Sequence, residues 1–287
     1  MLTGLIASPA IAEIVSVELD QDNADKQNII QSQGVQATLT YEERIDIEGI
    51  MSEVPVLNIS GGGASIETTA SYSSFPYSQA QIAEMDPANN LPEVIFSSFT
   101  GGAHCCNEVK ILTFQPQTSQ WEIVDVGFFD GGINGVEDFD QNGVYEFITY
   151  DNRFLYKYSS YAGSFAPVQV LKLAGLAMKD VSKEAQFLPL HRKVLQDMWQ
   201  AIEVVTDEGY EVNGVLAGYM ATKAILGETT SGWELVQYRY DRSSDWGLRE
   251  CPTNYDDQGN CASEWVDYES FPAALRGFLL ETGYLSE

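Results

Sequence analysis

Residues Asp138-Phe139-Asp140-Gln141-Asn142-Gly143-Val144-Tyr145-Glu146 run without a break into the apolar, aromatic stretch Phe147-Ile148-Thr149-Tyr150. No other segment constrains the fold of this chain as tightly. Oxygen-bearing side chains stand at the first, third, fifth and ninth places, with glycine at the sixth. That is the spacing by which a short loop wraps a hard cation in oxygens: Asp138 and Asp140 through carboxylates, Asn142 through its amide oxygen, Val144 through its backbone carbonyl and Glu146 as the closing ligand. Gly143 allows the bend at little steric cost. The pattern therefore predicts calcium as the cofactor, in a loop that feeds a strand. The plainer reading is an Asp/Asn/Gly turn between two strands, which leaves the place of Glu146 without a reason.

An EF-hand would put a bidentate Glu at the twelfth place, where this chain has Thr149, and would continue as a helix. The shorter, strand-flanked loop instead resembles the FG-GAP (VCBS-type) repeats, the calcium-binding blades of integrin-α-like propellers. That resemblance implies a structural calcium and blade-like antiparallel units. A weak internal repeat agrees with it. Leu91-Pro92-Glu93-Val94-Ile95-Phe96 matches Val144-Tyr145-Glu146-Phe147-Ile148-Thr149, and each follows an acidic, Asn-bearing turn. Downstream, Ile111–Phe114 and Trp121–Val126 match Phe154–Tyr158 and Phe165–Val170, with equal aromatic spacing. The earlier turn, Glu84 to Asn90, is one residue too long and carries Pro87, so no ion is assigned to it.

The copies differ by an insertion in the first, Thr100-Gly101-Gly102-Ala103-His104-Cys105-Cys106. An insertion confined to one repeat maps to a loop on a binding face, which makes Gly102 and His104 a second candidate site. A Gly-Gly-Ala-His-Cys-Cys stretch beside an Asp-x-Asp-x-x-Gly-x-x-Glu loop is also similar to secreted bacterial proteins of unknown function, and that likeness implies no activity. Cys105 and Cys106 read first as a vicinal disulfide. The alternatives are a metal- or thiol-dependent enzyme centred on His104, Cys105 and Cys106, or inert thiols. Cys251 and Cys261 bracket a turn-rich segment and read as a local disulfide, although four cysteines allow three pairings. The sequence Asn254–Gly259 imitates the start of a cation loop but has Ala262 at the ninth place, and reads as a turn.

Forty-two acidic against fifteen basic residues give a net charge of −27. Such a field repels phosphate backbones and anionic lipid, which excludes nucleic-acid binding, while it attracts divalent cations and basic partners. Residues 1–12, Met-Leu-Thr-Gly-Leu-Ile-Ala-Ser-Pro-Ala-Ile-Ala, look like the end of a secretory signal peptide, and no other apolar run is long enough to span a bilayer. A periplasmic or secreted protein is expected, acting on a protein or envelope ligand that the sequence does not name. An inhibitor or adhesin that uses the acidic surface is a further reading.

From about residue 180 the apolar period turns helical. Val194, Leu195, Met198, Ile202 and Val205 form one stripe, Val215, Leu216, Tyr219 and Met220 another, and a last helix is expected from Pro272 to about Glu281. His191, beside Arg192 and Lys193, reads as a partly exposed helix residue. No Gly-x-Ser-x-Gly elbow, His-Glu-x-x-His pair or phosphate-loop lysine is present. The expected architecture is α+β: a signal remnant at 1–12, a β-rich repeat region at 13–175 too short for a closed propeller, and a mainly helical region at 176–287 with a disulfide-bounded loop.

Overall fold

The computed structural model describes residues 13–20, 26, 28–45, 49–71, 77–130, 135–253, 258 and 260–286. The expected signal remnant at 1–12 and most of the segment 254–259, expected as a turn, lie outside the described residues. The fold is α+β, with antiparallel sheets in the N-terminal half and helices in the C-terminal half. The strands in chain order are β1 (Val15–Leu19), β2 (Asn28–Ser32), β3 (Val35–Ile45), β4 (Met51–Gly61), β5 (Ala64–Thr69), β6 (Ser78–Ala83), β7 (Glu93–Phe99), β8 (Asn107–Gln115), β9 (Gln120–Phe129), β10 (Gly135–Glu137), β11 (Glu146–Tyr150), β12 (Val168–Ala174) and β13 (Ala177–Asp180). Helices α1 (Leu188–Glu208), α2 (Asn213–Ile225) and α3 (Thr229–Arg239) follow. A short ribbon, β14 (Arg249–Glu250) with β15 (Val266–Asp267), precedes helix α4 (Phe271–Glu281).

Two compact units result, one comprising Met1–Thr149 with Val170–Asp180, the other Tyr150–Gln169 with Val181–Glu287. The expected boundary at 175/176 and this division do not coincide, because the chain crosses between the units three times.

The first unit is built on the sheet β1-β6-β7-β8-β9. Side chains alternate across a strand, so each strand serves two faces. Val94 and Phe96 of β7 and Leu112 and Phe114 of β8 join Leu39, Leu57 and Ile59 of the second sheet, β2-β3-β4-β5, in one core. Ile95 of β7 and Val109 and Ile111 of β8 point the other way and meet Tyr145, Phe147 and Leu173 in a second core. The last two belong to the third sheet, β10-β11-β12-β13. Trp121 closes the first core edge-on to Phe114, with ring centroids 5.6 Å apart, and its indole N–H donates to the Gly61 carbonyl at 3.2 Å. The β3–β4 hairpin outruns its neighbours. β2 pairs only as far as Leu39 and β5 only as far as Val56, so residues 41–45 and 51–55 continue as a two-stranded ribbon.

The second unit surrounds α2, buried along nearly its whole length. Its other core members come mainly from α1, α3, α4 and the 150–169 segment, where Phe154 and Tyr158 stack edge-on against Phe278 and Phe271. Here the expected repeat fails. Phe114 and Trp121 face each other on a hairpin, whereas the Asp151 carboxylate accepts the Arg153 N–H and turns the chain into a 3-10 turn at Asn152–Phe154. Phe154 and Tyr158 thus enter a helical core instead of a blade strand. His191 also departs from expectation: it is fully buried, with Nε2 at 2.9 Å from the Ser182 carbonyl oxygen.

Helix α2 reaches the 161–165 segment through bare backbone. A Cβ at Gly214 would lie 2.3 Å from the Gly163 carbonyl oxygen, and one at Gly218 would lie 1.8 Å from that of Phe165. Neither neighbour is a flexible side chain that could swing aside, so the pair sets how closely helix and loop pack. Gly218→Ala is expected to lower the unfolding free energy by about 1–3 kcal/mol, in spite of alanine's better helix propensity. Urea denaturation followed by circular dichroism checks this; an unchanged or raised midpoint would show that the loop yields.

Candidate metal centre

β10 ends at Glu137, and the chain turns through 138–145 before β11 begins at Glu146. The turn is folded by its own carboxylates. Asp138 Oδ1 accepts the Asn142 N–H at 2.9 Å and Oδ2 that of Gly143 at 2.9 Å, while Asp140 Oδ1 accepts the Asn142 N–H at 3.2 Å. Asn142 Oδ1 takes the Val144 N–H at 2.7 Å. Gln141 and Gly143 both adopt positive φ, +57° and +87°, which lets the loop double back.

Those bends bring one oxygen each from Asp138, Asp140 and Glu146 within 4.8 Å of one another. Asn142 is exposed at the rim and Val144 half-buried in the turn before β11. Glu146 is fully buried, and among the described residues neither of its oxygens has a protein hydrogen bond of good geometry. Burial, then the Asp140 carboxylate, push its acid up to about 7, against the pull of Lys172 and the Phe139 N–H. Three carboxylates gathered, the buried one without a well-formed protein hydrogen bond, form an oxygen donor set suited to a hard cation.

Glu93, the counterpart in the earlier copy, sits at the same place in its strand and is equally buried. Its solution is different. Oε2 accepts the N–H groups of Met85 at 2.7 Å and Asp86 at 3.1 Å; Oε1 accepts the Thr113 hydroxyl at 2.9 Å and the Asn89 side-chain amide. Four protein donors occupy the space around this carboxylate. The two turns are also joined, because the Tyr145 N–H donates to the Glu84 carbonyl at 2.7 Å, one residue before Glu146.

The second candidate loop, 100–106, links β7 to β8. Gly102 and His104 are exposed, Cys105 and Cys106 are half-buried, and the two cysteines form a disulfide across a cis peptide bond. Cys251 and Cys261 form the other disulfide, with Cα atoms 5.6 Å apart. His104 Nδ1 lies 2.8 Å from Asp130 Oδ1. Sequence reading missed Asp130 because its partner stands twenty-six residues away on the other side of a hairpin. Trp246 donates its indole N–H to the Tyr156 carbonyl at 2.9 Å and remains partly exposed.

The family described as the sll0997 C-terminal domain matches residues 191–283, from α1 to just past α4. The "Probable thylakoid lumen protein sll0997" of Synechocystis sp. is 40% identical over 278 residues, spanning 96% of this chain and 81% of that protein. The chain belongs to the sll0997 family. A further relative of this sll0997-family chain, the "Uncharacterized protein y4bJ" of Sinorhizobium fredii, is 35% identical over 207 residues, covering 72% of the chain but 32% of that protein. No solved structure matches. The family's C-terminal match lies in the helical unit, whereas both candidate loops lie in the first unit.

Glu93 yields a prediction with a defined sign. Burial pushes its acid up to about 7 in the folded chain, against the hydrogen bonds from Met85, Asn89 and Thr113, from an ordinary value of 4.5. Between those values the folded state holds a proton that the unfolded state has released, so this contribution to stability is complete below pH ~4.5 and lost as the pH rises through 7. The loss amounts to about 3 kcal/mol. Glu93→Gln does not titrate, so the stability gap between wild type and variant should narrow as the pH rises from 5 to 8. Urea melts in chelator check it; a constant or widening gap would mean that Glu93 is ionised throughout.

Proposed function

We propose that this chain is an exported, calcium-binding protein that acts by binding, with a structural calcium held by Asp138, Asp140, Asn142, the Val144 carbonyl and Glu146. One observation carries the reading: Glu146 is fully buried beside Asp138 and Asp140 with no well-formed protein hydrogen bond to either oxygen, while the equally buried Glu93 is supplied with four protein donors. A buried carboxylate so poorly supplied with donors costs several kcal/mol unless a cation or a proton neutralises it. The oxygen-only donor set and the loop spacing favour calcium over zinc or copper. The same contrast supports the FG-GAP-like reading of the loop, with the earlier turn as a copy whose place for an ion is taken by donors.

An exported location draws on the relative sll0997, whose name places it in the thylakoid lumen, and on the signal-like first twelve residues. No helix among the described residues is long and apolar enough to cross a membrane. The partner is a protein or envelope ligand, and the strong negative charge favours one with a basic face.

Calcium would join carboxylates that otherwise repel, so occupancy stabilises by mass action, about 2.7 kcal/mol at a hundredfold excess over Kd. A thermal melt should rise by several degrees in millimolar calcium relative to chelator, with a smaller response to magnesium, whose stricter octahedral geometry suits this loop less. Asp140→Ala and Glu146→Gln should each remove the response. In chelator Glu146→Gln should melt at or above wild type, because the buried charge is gone. Equal melts with and without calcium would sink the reading.

A further inference from the structure

The disulfide between Cys105 and Cys106 is a poor structural staple. Cross-links stabilise chiefly by closing loops in the unfolded chain, and a bond between neighbours closes almost none, whereas Cys251–Cys261 encloses a real loop. The turn at 100–106 is held without sulfur. The Thr100 N–H donates to the Cys106 carbonyl at 2.9 Å, and the Cys106 N–H donates to Thr100 Oγ1 at 2.9 Å. Gly102 packs against the Cys105 carbonyl, where a Cβ would lie 2.0 Å from that oxygen. The neck of the loop and strands β7 and β8 would therefore keep their pairing in either redox state.

The loop that carries the sulfurs suits exchange chemistry. The loop is solvent-facing, so a thiolate can approach. His104 directly precedes Cys105, and its Nδ1 is 2.8 Å from the largely buried Asp130 carboxylate. A carboxylate oxygen accepts the Nδ1 hydrogen in this pair, which leaves Nε2 as the ring nitrogen with a lone pair.

We propose that the 100–106 loop is a thiol–disulfide exchange site for a protein dithiol. A thiolate of the partner attacks one sulfur of the pair, forming a mixed disulfide and breaking the Cys105–Cys106 bond; the departing sulfur takes a proton by way of His104. The partner's second thiol, deprotonated in turn, attacks the mixed disulfide. The partner leaves as a disulfide, and the remaining cysteine sulfur is protonated. Two electrons and two protons pass from dithiol to cysteine pair, and the reverse sequence reduces a partner disulfide and re-forms the Cys105–Cys106 bond. Asp130 is the positioning residue for His104.

The test treats the folded protein with dithiothreitol as the dithiol, in calcium and in chelator alike, with acid quench, alkylation and peptide mass analysis. Cys105 and Cys106 should become alkylated at least tenfold faster than Cys251 and Cys261, with unchanged circular dichroism. His104→Ala and, as a second variant of similar size, His104→Gln should slow that reduction about tenfold or more, the low end for general acid–base assistance. Asp130→Asn should slow it less, and the oxidised proteins should melt alike. Three results would each overturn the proposal: free thiols at 105/106 in air-equilibrated protein, reduction only when the protein unfolds, or a rate indifferent to His104. Agreement in chelator would keep this outcome separate from the calcium reading.

Discussion

A sheet apolar on both faces must be covered twice, and the β-rich unit follows from that requirement. β7 and β8 send alternate residues to opposite cores, so β1-β6-β7-β8-β9 serves as the middle layer of three. A slip of one residue in either strand would exchange the two sets of side chains and spoil both cores at once. Register is thus doubly specified, and the loops that leave these strands start from fixed positions. The 100–106 turn leaves from the β7–β8 connection, and the 138–146 turn is tied through Tyr145 to the carbonyl of Glu84, just after β6. Rigid sheet geometry is what allows short acidic loops to hold carboxylates together.

Much of this was legible in the sequence. Strand-like alternation at Val35–Tyr41 and Val54–Ile59 corresponds to β3 and β4, the stripes from Val194 and Val215 correspond to α1 and α2, and the last helix begins one residue before Pro272. Local periodicity and turn chemistry determine such elements, so one sequence suffices. The second half of the repeat was misleading because aromatic spacing does not encode environment. Phe114 with Trp121 and Tyr158 with Phe165 stand equally far apart, but only the first pair lies on a hairpin. The second follows Asp151, whose capping of a 3-10 turn outweighs any strand tendency of its neighbours.

Within the candidate sites, the spacing of acids and glycine gave the loop, because chain-local geometry decides which carboxylates can converge. Burial is a different kind of fact. Nothing in the sequence distinguishes Glu146, with no well-formed hydrogen bond, from Glu93 with four, since the donors come from Met85, Asp86, Asn89 and Thr113, up to twenty residues away. The same is true of Asp130 beside His104, and of His191, which the charged neighbours Arg192 and Lys193 suggest is wetter than it is. Partners supplied by another strand are visible only once the sheet is assembled.

The β3–β4 ribbon carries a consequence for how copies of this chain coexist. Past Leu39 and Val56 its strands have no further strand neighbour among the described residues, the situation in which sheets grow by accretion. Ile45, Ile50 and Met51 at its end are exposed and would reward such growth. The ribbon also bears Glu42, Glu43 and Glu53, with Pro55 withholding a backbone donor. A second ribbon laid alongside would bring glutamate against glutamate, and the chain's own charge would oppose the approach. In a crowded compartment this tip is thus defended against aggregation with its own kind by electrostatics, a defence that weakens as salt rises.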